Sequence, residues 1–216
     1  MTHNEYIKLS KDLQILAKKI PLNWGKIQND HTDKKFNMFN FATLESLENE
    51  VEQLSLDDQN YFKKRWFLWQ CSKVDEYLFY KEENVEKNPN HKDQSYDIKF
   101  NDSIQFDVKG TVVPKSFRSS FDFSEEKELI DFYYKNQSKG VRHNIQNRLF
   151  IVHHSFNETE RSMFLRCYWE LKKNAYREFN KLITNSKLNL IKHNSVVAKC
   201  IFIIESKEND FYFKII

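Results

Sequence analysis

Two carboxylates and an amine stand close together in Ser95–Thr111, SYDIKFNDSIQFDVKGT. Asp97, Asp107 and Lys109 occupy odd positions, while Tyr96, Ile98, Phe100, Ile104, Phe106 and Val108 occupy even ones. Alternation of this kind describes two strands with one apolar face, and it puts the three charged groups together on the other face. For both strands to bury the same face, the numbers of paired residues must have an even sum. A three-residue loop, Asn101-Asp102-Ser103, meets that condition and sets Phe100 against Ile104. The same register sets Asp97 against Asp107. Opposed side chains have Cβ atoms about 4.5–5.5 Å apart, where like charges repel. Two carboxylates so placed either raise a pKa or share a cation. Mg²⁺ takes oxygen ligands, commonly one or two carboxylates with waters and phosphate oxygens. Lys109, one strand repeat beyond Asp107, is placed to position a water or to neutralise charge growing on a phosphate. The chemistry that suits this set is hydrolysis of a phosphodiester.

The elements around the hairpin must hold it in place. Ser55 followed by Asp58 marks the start of a long helix reaching about Tyr80. Phe67, Cys71, Val74 and Leu78 form one apolar stripe on it, and Phe62, Trp66 and Trp69 cover another flank. A helix this apolar packs on more than one side. Asp75 and Glu76 near its end are therefore expected to be partly buried and in need of a partner. Upstream, residues 4–20 read as a helix, KFNMFNF as a brief alternating run, and Thr43 as the cap of a helix to about Leu54. EENVEKNPNHKDQ reads as a polar linker. Downstream come a helix of about a dozen residues from Ser124, a strand at RLFIVHH, and a long helix opened by an Asn157–Glu160 capping box. SVVAKCIFIIE and DFYFKII finish the chain as strands. This order predicts an α/β architecture, a central mixed sheet flanked by helices.

A D-x(9)-D-x-K pattern across a hairpin, with an acid-bearing helix before it and helix, strand, helix after it, resembles the PD-(D/E)XK phosphodiesterase superfamily. Tyr96 stands where the proline of that name would be. The resemblance implies a restriction-endonuclease-like core over residues 56–216, with 1–55 as a mostly helical N-terminal extension. It also implies a Mg²⁺- or Mn²⁺-dependent endonuclease. Asp97 and Asp107 would bind the metal with the Val108 carbonyl, and Lys109 would serve the attacking water. Glu76 is the choice for a further acid from the helix, although the helical wheel leaves Asp75 open as well. Nucleic acid, DNA before RNA, is the implied partner, and a homodimer follows by analogy with nucleases that cut both strands.

Composition excludes much else. With glycine only at 25, 110 and 140, the chain holds no GxGxxG, P-loop or GxSxG. It also lacks C-x-x-C and H-E-x-x-H. Cys71, Cys167 and Cys200 lie apart in apolar segments and read as buried free thiols. A polar N-terminus without a signal-peptide pattern, and no apolar run of membrane length, lead to the expectation of a cytoplasmic protein that does not span a membrane. A net charge of +3 confines any nucleic-acid surface to a local patch. Lys139, Arg142, His143, Gln146 and Arg148 are the candidates for it, and His153 and His154 read as structural. The rival readings are a catalytically inactive nucleic-acid- or partner-binding module of the same fold, and a plain α/β protein whose hairpin charges are solvated.

Overall fold

The computed structural model describes residues 1–22, 33–35, 37–90, 93, 95–101, 103–136 and 146–216. Side-chain caps set the first helices. The Thr2 hydroxyl accepts from Glu5 N–H to open α1 (His3–Lys19), Thr43 accepts from Ser46 N–H to open α2 (Leu44–Val51), and Ser55 accepts from Asp58 N–H to open α3 (Leu56–Phe79). The remaining elements are β1 (Val85–Lys87), β2 (Ile98–Phe100), β3 (Ile104–Val112), α4 (Glu126–Asn136), β4 (Arg148–Ser155), α5 (Thr159–Phe164), α6 (Trp169–Thr184), β5 (Ile191–His193), β6 (Val196–Glu205) and β7 (Phe211–Lys214). Asn84, Asn101, Asn194 and Asn209 all have positive φ. In a chain so short of glycine, asparagine supplies the left-handed turns because its short polar side chain tolerates them.

The strands form one seven-stranded sheet ordered β1-β2-β3-β4-β6-β5, with β7 also on β6. β1, β2 and β3 make an antiparallel meander, whereas β3, β4 and β6 run parallel. β5 and β7 lie antiparallel to β6 near its two ends. The expected α/β class with a mixed sheet flanked by helices is therefore present. Parallel central strands are covered on both faces, and every residue of β4 is buried. One face, with Leu149, Ile151, Ile201 and Ile203, packs under α1, α3 and α6. The other, with Phe150, Val152, Phe202 and Ile204, packs under α4 through Leu129, Ile130 and Tyr133. α1 and α2 join the first core directly, since Leu13, Leu16, Leu47 and Val51 cluster with Phe62, Trp66 and Phe67.

Several local expectations are corrected. The supposed linker holds β1, which pairs with β2, and β5 forms an unanticipated hairpin with β6. The run KFNMFNF contains a 3₁₀ turn at Met38–Asn40 instead of alternating structure. The long helix expected from Asn157 is broken, with a 3₁₀ turn at Leu165–Cys167 and Tyr168 at φ −82°, ψ 68° between α5 and α6. Its capping box does not form, because the Asn157 amide donates to the Ser206 carbonyl at 2.9 Å. The break is stable because other groups take the freed carbonyls. Gln14 donates to Cys167 O at 3.2 Å, and Lys172 donates to Arg166 O at 3.2 Å.

Lys172 also ion-pairs with Asp75, both fully buried, and the Tyr176 hydroxyl donates to Asp75 Oδ1 at 2.8 Å. Removing one partner of a buried pair leaves an uncompensated charge. Lys172→Met should therefore lower stability by about 3–5 kcal/mol in urea unfolding. The double variant Asp75→Leu/Lys172→Met should recover most of that loss.

Candidate active site

The hairpin register is the one parity demanded: Ile98 pairs with Phe106, Lys99 with Gln105 and Phe100 with Ile104. Ile98, Phe100 and Phe106 are fully buried, as the alternation requires. Beyond Phe106 the environment changes, because β3 acquires a parallel neighbour. Asp107 pairs with Arg148 at the start of β4, and Asp107 N–H donates to Asn147 O at 2.9 Å. Asp107 is only 3% exposed. A solvated strand face is thus excluded for this residue.

β2 begins at Ile98, so the expected Asp97–Asp107 pair is not part of the ladder: Asp97 N–H donates to Phe106 O at 2.9 Å, and the Asp97 carboxylate binds the next free amide of β3. Its Oδ2 accepts the Val108 N–H at 2.7 Å. The Tyr96 carbonyl is occupied instead by Asn88 Nδ2, at 2.9 Å. A strand residue's N–H and C=O point to the same edge, so the Val108 carbonyl faces the side on which Asp97 sits. Asp107 has cations on two sides: Lys109 Nζ ion-pairs with Oδ1, and Arg148 Nε lies 3.4 Å from Oδ2. Burial raises the Asp97 pKa, with the Lys109 charge opposing the rise and the Asp107 carboxylate adding to it.

The two acids near the end of α3 are placed differently. Asp75 points into the core and is committed to Lys172 and Tyr176. Glu76 lies on the hairpin side, 3.7 Å from Lys87 Nζ. Burial pushes its pKa up to about 7, and the Asp97 charge is the next largest cause. Glu76 therefore feels Asp97 without joining it. Among the described residues no three His, Cys, Asp or Glu side chains stand close enough together to hold a metal ion. The oxygen donors brought together are those of Asp97 and Asp107, and Asp107 Oδ2 is buried without a hydrogen bond.

Of the basic segment, Lys139, Arg142 and His143 lie outside the described residues. The Gln146 carbonyl accepts from the Tyr134 hydroxyl at 2.7 Å. Arg148, read from sequence as a phosphate contact, is 4% exposed, with its guanidinium 5.1 Å over the Tyr134 ring. Its place beside Asp107 was missed, although an arginine opening a strand that runs on through Leu149–Val152 signals a buried acidic partner. Tyr134 stacks on His193 at 4.3 Å, and His193 Nδ1 lies 2.6 Å from Asp131 Oδ1. His153 donates from Nδ1 to Thr111 O at 2.9 Å, and burial drives its pKa well down, so the ring is neutral and structural. Gly110 has the close neighbour that a strand glycine suggests. A Cβ there would run into the Arg166 guanidinium.

Grooves of about 320 and 650 Å³ run between α1 and the α5–α6 corner, and neither is lined by Asp97, Asp107, Lys109 or Glu76. No described helix is long and apolar enough to cross a membrane. The chain has no match among protein-family models, curated proteins or solved structures.

The raised Glu76 pKa fixes the sign of a pH effect. Between its ordinary 4.5 and about 7 the folded chain holds a proton that the unfolded chain has lost, so stability falls as pH rises through that window. Glu76→Gln should flatten this part of a melting-temperature profile measured in EDTA. The variant should melt above wild type at pH 8. Superimposable profiles would mean that Glu76 titrates as an ordinary surface glutamate.

Proposed function

We propose that this chain is a divalent-metal-dependent nuclease of the PD-(D/E)XK type, hydrolysing phosphodiester bonds in DNA. The observation that carries the reading is the meeting of Asp97 and Asp107 where β2 begins, with Lys109 ion-paired to Asp107. The setting agrees in outline: an acid-bearing helix precedes the hairpin, and a helix then leads into a strand parallel to β3.

Asp97, Asp107 and the Val108 carbonyl are the groups that would hold Mg²⁺ or Mn²⁺. Asp107 Oδ2, buried without a hydrogen bond and facing only the Arg148 guanidinium at 3.4 Å, and the raised pKa of Asp97 fit a place that takes a cation. A bound ion supplies a lowered pKa for its water and charge neutralisation on the phosphate. Lys109, released from Asp107, orients the attacking water or holds a phosphate oxygen with its ammonium. Glu76 is ionised only above about pH 7, where it accepts a proton from that water. A second copy of the chain would be needed to cut both strands at one point.

One observation favours the alternative of an inactive binding module. Asp107 already has two cations, Lys109 and Arg148, and both compete with a metal for the same carboxylate.

Plasmid nicking separates the two readings. With Mg²⁺ or Mn²⁺ the wild-type protein should convert supercoiled plasmid to the nicked form, and EDTA should stop it. Asp107→Ala and Lys109→Ala should each lower the rate by at least a hundredfold, since either removes a group with a direct role. Cleavage by Asp107→Ala at the wild-type rate would overturn the nuclease reading, and binding without any cutting would favour the module.

A further inference from the structure

Along the second half of α3 and just beyond it, three lysines lie over aromatic rings around Glu76: Lys73 on the helix, Lys81 after its end and Lys87 on β1. Lys73 Nζ lies 4.5 Å from the Trp69 ring, Lys81 Nζ 5.3 Å from the Tyr77 ring, and Lys87 Nζ 5.8 Å from the Tyr80 ring. Trp69, Lys73, Glu76 and Tyr80 are spaced by four, three and four residues, which is one face of a helix. At the far end the Phe39 ring stands edge-on to Trp69, with centroids 5.0 Å apart, and is 50% exposed. From Trp69 to Tyr80 the helix rises by about 16 Å. The row is continuous with the candidate site, because Lys87 lies 3.7 Å from Glu76 and the charges of both reach Lys73.

Cations alone would suit any polyanion. Duplex DNA, however, offers phosphates outside and keeps its base faces stacked within. A half-exposed phenylalanine beside lysine-backed rings offers apolar faces that only an unstacked base can use. We propose that this row binds a single-stranded polynucleotide, with bases on Phe39, Trp69 and Tyr80 and phosphates on Lys73, Lys81 and Lys87, and leads it towards Asp97 and Asp107. The inference rests on the nuclease reading for its destination only; the binding surface stands on its own residues.

The test is fluorescence anisotropy in EDTA, where no cutting occurs, with fluorescein-labelled oligo-dT and oligo-rU of 20 nucleotides and a duplex of the same length. Either single strand should bind at least tenfold more tightly than the duplex. Stacking is worth about 1–3 kcal/mol per base, so Trp69→Ala should weaken single-strand binding about 5- to 150-fold. Phe39→Ala removes an exposed ring, keeps the fold as judged by circular dichroism, and should weaken binding by at least fivefold. Lys81→Gln/Lys87→Gln should make the slope of log K against log salt shallower by about 1.4, at about 0.7 per single-strand phosphate contact. Duplex binding as tight as single-strand binding, or wild-type affinity in Phe39→Ala, would overturn the proposal. Single-strand binding without metal-dependent cutting would uphold the row and sink the nuclease. Cutting that ignores Phe39 and Trp69 would do the reverse.

Discussion

The burial of Asp107 is the constraint around which the rest is arranged. Antiparallel hairpins normally keep one face wet, and as far as Phe106 this one alternates accordingly. At Asp107 the parallel strand β4 docks, and a carboxylate that would have faced water is enclosed. An isolated buried charge is costly, so the neighbouring elements must supply compensation at that level of the sheet. Lys109 does so from the same strand and Arg148 from the next. Tyr134 on α4 lies beneath the Arg148 guanidinium, which fixes the register of the covering helix against the same point.

Buried acids mark the other joints of the molecule in a similar way. Asp75 ties α3 to α6 through Lys172 and Tyr176. Glu126 at the start of α4 accepts from Lys199 Nζ and Cys200 N–H, each at 2.8 Å, and so fastens that helix to β6. Glu205 gathers Arg161 and Ser155 where β4 and β6 end. Such pairs add little net stability over apolar packing, but each penalises an arrangement in which one partner is missing. Glu76 differs from these acids. Its nearest cation, Lys87, is half exposed and too weak a partner to keep its pKa in the ordinary range.

What could be read from the sequence followed from local rules. The caps at Thr43 and Ser55 and the parity of the hairpin depend on neighbours a few residues away, and all three agree with the structure. The choice of Glu76 over Asp75 as the acid nearer the hairpin was made without a deciding argument, because the two differ by one step around a helix apolar on several sides. Lys172, roughly a hundred residues further on, decides where Asp75 points. Arg148 was misplaced for the same reason, since only the β3–β4 register puts it beside Asp107. The break between α5 and α6 was equally illegible. Amphipathic periodicity continues through it, and the groups that stabilise it come from Gln14 on α1 and from Lys172.

The two cations at Asp107 also define what the proposed chemistry demands of Asp97. A unit pair about 4 Å apart near a protein surface is worth on the order of 4 kcal/mol before desolvation, so Asp107 alone has little reason to exchange Lys109 for a hydrated ion. With Asp97 included, a divalent ion meets two carboxylates with twice the charge, while Lys109 ion-pairs with only one and acts on Asp97 at longer range. Asp97 is the less satisfied member of the pair. One oxygen is held by Val108 N–H, and burial with the adjacent Asp107 charge raises its pKa. The exchange therefore turns on the carboxylate just before β2. Displaced from Asp107, the Lys109 ammonium stays on its strand, 31% exposed and free to turn towards a phosphate. In the proposed chemistry, the Lys109–Asp107 ion pair would thus be the source of the cation needed at the phosphate.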